Sequence, residues 1–154
     1  MDLLKHKLLI EQTDKKLAVF RTLESVIVPS EGWIHSVRTA LKMSLRQLAV
    51  RLNITPQSVK EIEQREANGS ITIKSLQEVG AALDLRLVYG FISKHESIEA
   101  MIEQRAVEIA RDIVSRTSKT MELEEQGNSR ERLEKAIANR AEEIKRTMPK
   151  YLWD

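Results

Sequence analysis

Apolar residues recur every three or four positions along most of the chain, and each run ends at a residue that favours a cap or a turn. Leu3, Leu4, Leu8, Leu9, Leu17, Phe20 and Leu23 predict a helix from Asp2 to about Val26, with Lys5, Lys7, Lys15 and Lys16 largely off the stripe. Pro29, Ser30, Glu31 and Gly32 form a short hinge. From Trp33 to Lys42 a second helix draws its buried face from Trp33, Ile34, Val37, Ala40 and Leu41. Leu45, Leu48, Ala49 and Leu52 mark a third, opened by Ser44 as N-cap with Gln47 three residues on, as in a capping box. Asn53 stands where the chain must turn, and asparagine tolerates the left-handed conformation. Thr55 then caps a helix that has Pro56 at its first position, where a missing N–H costs nothing. Val59 and Ile62 face back toward the preceding helix. A turn is expected from Glu66 to Ser70 around Asn68 and Gly69. Thr72 caps the next helix, Ile73 to Leu83, which buries Leu76, Val79, Gly80 and Leu83.

The pattern then changes. Residues 85–92, LRLVYGFI, alternate Leu85, Leu87 and Tyr89 with Arg86, Val88 and Gly90 and predict one short β-strand. A lone strand leaves backbone groups unpaired, which points to the same strand of a second subunit or to a strand elsewhere. A continued helix is the alternative. Ser97 can cap a long helix to about Glu125 that carries Ile98, Ile102, Ala106, Ile109 and Ile113. Gly127 and Asn128 break it, and Ser129 caps a last helix to about Met148 with Leu133, Ile137, Ala141 and Ile144 inside. Pro149 ends that helix, and Tyr151 and Trp153 are expected to dock the tail. The pattern gives an all-α fold with one short β-strand. It falls into three stretches: an N-terminal helix and hinge (1–32), a central helical unit with its terminal strand (33–92) and a C-terminal helical extension (93–154).

Composition sharpens this. Aromatic residues are 4% of the 154, and glycine and proline are few, which favours helices. There is no cysteine, so disulfides and thiolate metal sites are excluded and a reducing compartment is compatible. No apolar run reaches membrane-spanning length and no signal peptide is visible, so a cytoplasmic protein without membrane contact is the expectation. The net charge of +2 is uneven. Residues 1–32 balance five basic against five acidic residues, residues 33–92 hold eight against five, and residues 93–154 hold twelve against thirteen. The surplus lies on the central unit, where phosphates would be met.

Within that unit, two short helices joined by a tight turn have the layout of a DNA-reading helix-turn-helix. A small residue, Ala49, sits where the helices must touch. Gln57, Ser58, Lys60, Glu61 and Gln64 point outward from the second helix. Gln57, Ser58 and Lys60 have donors and acceptors suited to base edges, with Gln64 further along the same face. Arg46, Gln47, Arg51 and Thr55 lie at helix ends and outer faces suited to phosphates. A unit of this kind reads one half-site, so a homodimer on double-stranded promoter DNA is expected.

The spacing from Ala49 to Asn53, Val59 and Ile62 resembles the Xre-type, lambda-repressor-like helix-turn-helix, which usually has glycine where this chain has Asn53. That resemblance implies a lambda-repressor-like domain with helical extensions and a structural ion pair between Arg38 and Glu63. The whole chain resembles a small family, mobile mystery protein A. The likeness rests on GWIHSVRTALKMSLRQLAVRL, EANGSITIKSLQEVGAALDLRLVYGFI, TMELEEQ and the terminal LWD. Members are bacterial, carried on mobile elements, and typically encoded beside a Fic-domain protein. The resemblance implies an antitoxin that restrains a Fic-domain toxin and represses their shared promoter. A stand-alone phage- or plasmid-type repressor, and an interaction protein that no longer binds DNA, are the alternatives. Many Fic proteins are inhibited through Ser/Thr-x-x-x-Glu-Gly/Asn. The nearest approach, Thr120 to Glu124, is followed here by Glu125.

No catalytic constellation is legible, and the chain is expected not to be an enzyme and to need no cofactor. His6, His35 and His95 are scattered and lack a partner at metal-ligand spacing, and no glycine-rich phosphate loop occurs. Glu122, Glu124 and Glu125 form an acidic cluster that reads as a solvated helix face.

Overall fold

The computed structural model describes residues 2–121 and 130–154. All the secondary structure among the described residues is helical, with seven α-helices and two short 3-10 helices. They are α1 (Leu3–Ala18), α2 (Trp33–Ala40), α3 (Leu45–Leu52), α4 (Pro56–Asn68), α5 (Ile73–Ala82), α6 (Ile98–Met121) and α7 (Arg130–Thr147), with 3-10 turns at Val19–Leu23 and Lys150–Trp153. Among the described residues, no helix is long and apolar enough to cross a membrane. Contacts gather the chain into two units. One is Ser25–Gly90, and the other joins Met1–Glu24 to Phe91–Asp154.

In the Ser25–Gly90 unit, α3 packs on α4 and α5, and α2 packs on α4. Ile34, Leu48, Ala49, Val59, Val79 and Leu83 form its core, edged by Val37, Leu45, Leu52, Ile62 and Leu76. Ala49 lies at the α3–α4 contact, where a larger side chain would separate the helices. The inward face of α2 differs from the one its apolar stripe predicts. Ile34 and Arg38 are buried, four residues apart, while Trp33 and Leu41 are 46% and 55% exposed and Ala40 is exposed too. Arg38 has a buried partner, so the helix turns that position inward and the apolar residues beside it outward. Helix α4 also runs further than expected. Glu66 and Asn68 belong to it, and the turn falls on Gly69, whose left-handed φ of 81° ends the helix.

Residues 85–92 form no strand within the chain. They run without helix, turn or bend, and no residue among them has a positive φ. From residue 86 onward they make no backbone hydrogen bond among the described residues. A strand is defined by its ladder, and this segment meets no second strand among those residues.

The second unit is built on α6 and α7. Ile102, Ala106, Ala110, Ile137, Ala141, Ile144 and Leu152 form its core, and the alanines let the two helices approach closely. Helix α1, which the sequence sets apart with the hinge, lies against α6. None of its residues is fully buried, and Leu4 and Leu8 are exposed. Its Asp14 carboxylate accepts from the N–H groups of Ile98 (2.7 Å) and Glu99 (3.1 Å), and Ser97 Oγ accepts from Ala100, so two side chains cap α6. The tail is docked by Leu152, which is fully buried, and not by Tyr151 and Trp153, which stay exposed. Arg105 fixes it by donating to the carbonyls of Leu152 (2.7 Å) and Asp154 (2.6 Å). Glu122, Glu124, Glu125, Gly127, Asn128 and Ser129 lie outside the described residues. With them lie the acidic cluster, the end of the Thr120–Glu124 motif, the helix break and the last cap.

Candidate nucleic-acid interface

The candidate surface is made by α3, α4 and the turn between them. Ser44 Oγ accepts from Gln47 N, and Gln47 Oε1 accepts from Ser44 N at 2.8 Å, closing a capping box on α3. Asn53 ends α3 in the left-handed region, with φ 56° and ψ 44°. Two residues later Thr55 caps α4, its Oγ1 accepting from Ser58 N at 3.1 Å, and Pro56 fills the first helical position. The entry angle of α4 is therefore set by local chemistry on both sides of the turn.

Helix α4 divides by face. Val59 and Glu63 are buried and Ile62 is half-buried. Gln57, Lys60, Glu61 and Gln64 are exposed. Glu61 sits 3.8 Å from Arg65 in a surface pair. The side chains of Gln57, Lys60 and Gln64 make no hydrogen bond or ion pair among the described residues. Ser58 differs from these three, being half-buried with its Oγ 2.8 Å from Thr55 Oγ1. Its hydroxyl and that of Thr55 are occupied with each other and with the cap.

The basic residues run along one side of α3, from the loop before it to its last turn. Arg46, Gln47 and Arg51 border one shallow groove together with Lys42, which the sequence reading did not single out. Lys42 follows α2 in the left-handed region, φ 53°, and its charge beside Arg46 was readable in the sequence even though its position was not. Gln47 has its carbonyl oxygen committed to the cap and its amide N–H groups exposed to an acceptor. Arg51 donates from Nη1 to the carbonyl of Ala82 at 3.2 Å, the last residue of α5, which orients the guanidinium against the negative end of that helix.

Behind this surface lies a buried ionic cluster. Arg38 Nε lies 2.5 Å from Glu63 Oε1 and Nη2 lies 3.1 Å from Oε2, a two-point pair joining α2 to α4. Arg38 Nη1 also donates to the Met43 carbonyl at 2.9 Å. His35 bridges outward, with Nδ1 3.1 Å from Glu63 and Nε2 2.9 Å from Glu31. Burial pushes the Glu63 carboxyl up, but the hydrogen bonds from Arg38 and His35, and then their charges, outweigh it and hold it below the usual carboxylate range. The hydrogen bond to Glu63 raises the Arg38 guanidinium, against burial, with the charge of Glu63 adding to the rise.

A second carboxylate on α4 has a role with no local signature. Glu66 accepts from Trp33 N (3.0 Å) and Ile34 N (2.8 Å) and so caps α2 from another helix. Gly32 makes room for it. A Cβ there would lie 2.6 Å from Glu66 Oε1, and the residue has φ 87°. No family model, curated protein or solved structure matches this chain.

Proposed function

We propose that the protein is a sequence-specific DNA-binding transcriptional regulator that acts as a homodimer, with α4 as the recognition helix of a lambda-repressor-like helix-turn-helix. The observation that carries this reading is the outer face of α4. Gln57, Lys60 and Gln64 stand exposed without internal partners on a helix fixed by the Thr55 cap and by Glu63. A polar face held rigid and left unsatisfied is what base-edge recognition needs. Gln57, in the first turn, pairs in bidentate fashion with adenine, and Lys60, one turn on, meets a guanine or a phosphate. Arg46, Gln47, Arg51 and Lys42 line one groove and take phosphates, which set register. Ser58 and Thr55 contribute through the cap more than through direct contacts.

The regulated gene is its own. The sequence resemblance to mobile mystery protein A supports an antitoxin that restrains a Fic-domain partner and represses the promoter they share. The exposed leucines of α1 are consistent with a partner surface on the helical unit. Co-purification of the chain with the product of its neighbouring gene, followed by a footprint on the shared promoter, tests both parts. Protection of the promoter without co-purification leaves a stand-alone repressor. Co-purification without salt-dependent protection leaves an interaction protein that does not read DNA.

A further inference from the structure

The segment that follows α5 is self-complementary. Residues 86–90 carry backbone donors and acceptors with no backbone partner among the described residues, and Leu85, Val88 and Tyr89 expose 49%, 59% and 64% of their surface. Such a stretch is a template for strand addition. Its sequence selects a partner. In an antiparallel pair centred on Val88, Val88 faces its own copy, Leu87 faces Tyr89 of the second copy, and Arg86 faces Gly90. Aliphatic then meets aromatic on one side of the ribbon, and a long cation lies over a residue without a side chain on the other. Moving the centre to residue 86 would place Arg86 against Arg86, and moving it to residue 90 would put glycines at the crossing. Among these centres, Val88 alone pairs every side chain without conflict.

We propose that two copies of this chain associate through residues 86–90 as an antiparallel two-stranded ribbon whose twofold axis passes at Val88. The proposal rests on the dimeric part of the regulator reading and names the surface that makes the dimer. The absence of cysteine from the chain gives a direct test. Directly opposed residues in an antiparallel pair have Cα atoms about 4.5–5.5 Å apart, within the range a disulfide spans. Full-length Val88→Cys should oxidise to a covalent dimer. Leu85→Cys should remain monomeric on the same non-reducing gel, because its two copies lie six residues apart along the ribbon, about 20 Å. Val88→Lys, which opposes two like charges at an exposed site, should weaken the dimer at least tenfold by analytical ultracentrifugation while the chain melts as the parent does. Absence of the Val88→Cys cross-link, equal cross-linking at residue 85, or an unweakened Val88→Lys dimer would each overturn the pairing. Dimerisation through another surface, or capture of a different chain's strand, would appear as one of these three results. A footprint run on the same samples separates this inference from the function. Promoter protection without the cross-link overturns the pairing alone, and a cross-linked dimer that protects no DNA overturns the regulator.

Discussion

At the scale of single residues, the buried Arg38–Glu63 pair and the exposed Gln57 are opposite cases of polar chemistry. Arg38 and Glu63 were desolvated together, so removing one leaves the other buried and charged. Arg38→Ala should therefore destabilise the Ser25–Gly90 unit by roughly 3–5 kcal/mol in urea unfolding, and a variant that unfolds like the parent would refute the structural role. The depressed Glu63 carboxyl also sets a pH dependence. A group whose folded value lies below its unfolded one adds stability above the unfolded value, about pH 4 for glutamate, and loses it as the pH falls through the folded value. Melting temperature should drop on acidification below that point, and Glu63→Gln should lower stability at neutral pH and flatten the acid limb. Gln57 has no internal partner to lose. Gln57→Ala should leave stability unchanged and cost about 1–3 kcal/mol on operator DNA with little effect on random DNA. Arg46→Ala should weaken both DNAs alike and reduce the salt slope by about one unit. Competition binding over a salt series reads both signatures. Their exchange between the two residues would overturn the docking pose.

At the scale of elements, the helix ends fall into two kinds. The caps of α3, α4 and α5 lie within three residues of the groups they satisfy. The cap of α2 comes from Glu66, and α6 adds Asp14 to its local cap Ser97; Glu66 and Asp14 are distant in sequence from the groups they satisfy. Loss of a local cap such as Thr55→Ala should cost about 1 kcal/mol and loosen the start of α4. Gly32→Ala is the harsher change. It forces a left-handed φ on alanine and drives a methyl group into the Glu66 carboxylate. Thermal melts should rank Gly32→Ala below Glu66→Ala, since the first adds strain to the lost cap. The reverse order would mean that the Gly32 backbone and Glu66 adjust without cost.

At the scale of the whole molecule, each unit has its own core. A fragment spanning 25–90 is expected to fold alone and melt cooperatively, because its core residues all lie within it. Circular dichroism of that fragment checks this, and a non-cooperative helical signal would show that the core needs the rest of the chain. In the full chain, Arg105→Ala should release the tail and lower the stability of the other unit without altering DNA binding.

What the sequence determined by itself was local. Capping chemistry and the three- and four-residue periodicity depend on neighbours within a turn or two, and Ser44, Gln47, Asn53, Thr55 and Pro56 place α3 and the start of α4 to the residue. The outward positions of Gln57, Lys60, Glu61 and Gln64 on α4 followed from the same periodicity, while Ser58, expected with them, is half-buried against the Thr55 cap. Tertiary structure decided whatever depends on partners far along the chain. The resemblance names Arg38 and Glu63 as a pair, but only the fold shows that burying Arg38 turns α2 so that Trp33 and Leu41 face outward. Glu66 reads as part of a turn until two N–H groups of α2 are found on it, and nothing beside Asp14 in the sequence marks it as a cap of α6. The tail carries two aromatics, yet Leu152 is the residue that docks, because Arg105 holds the backbone that aims it. Residues 85–92 have strand composition, but a strand is a relation between two segments, and no single stretch of sequence contains it.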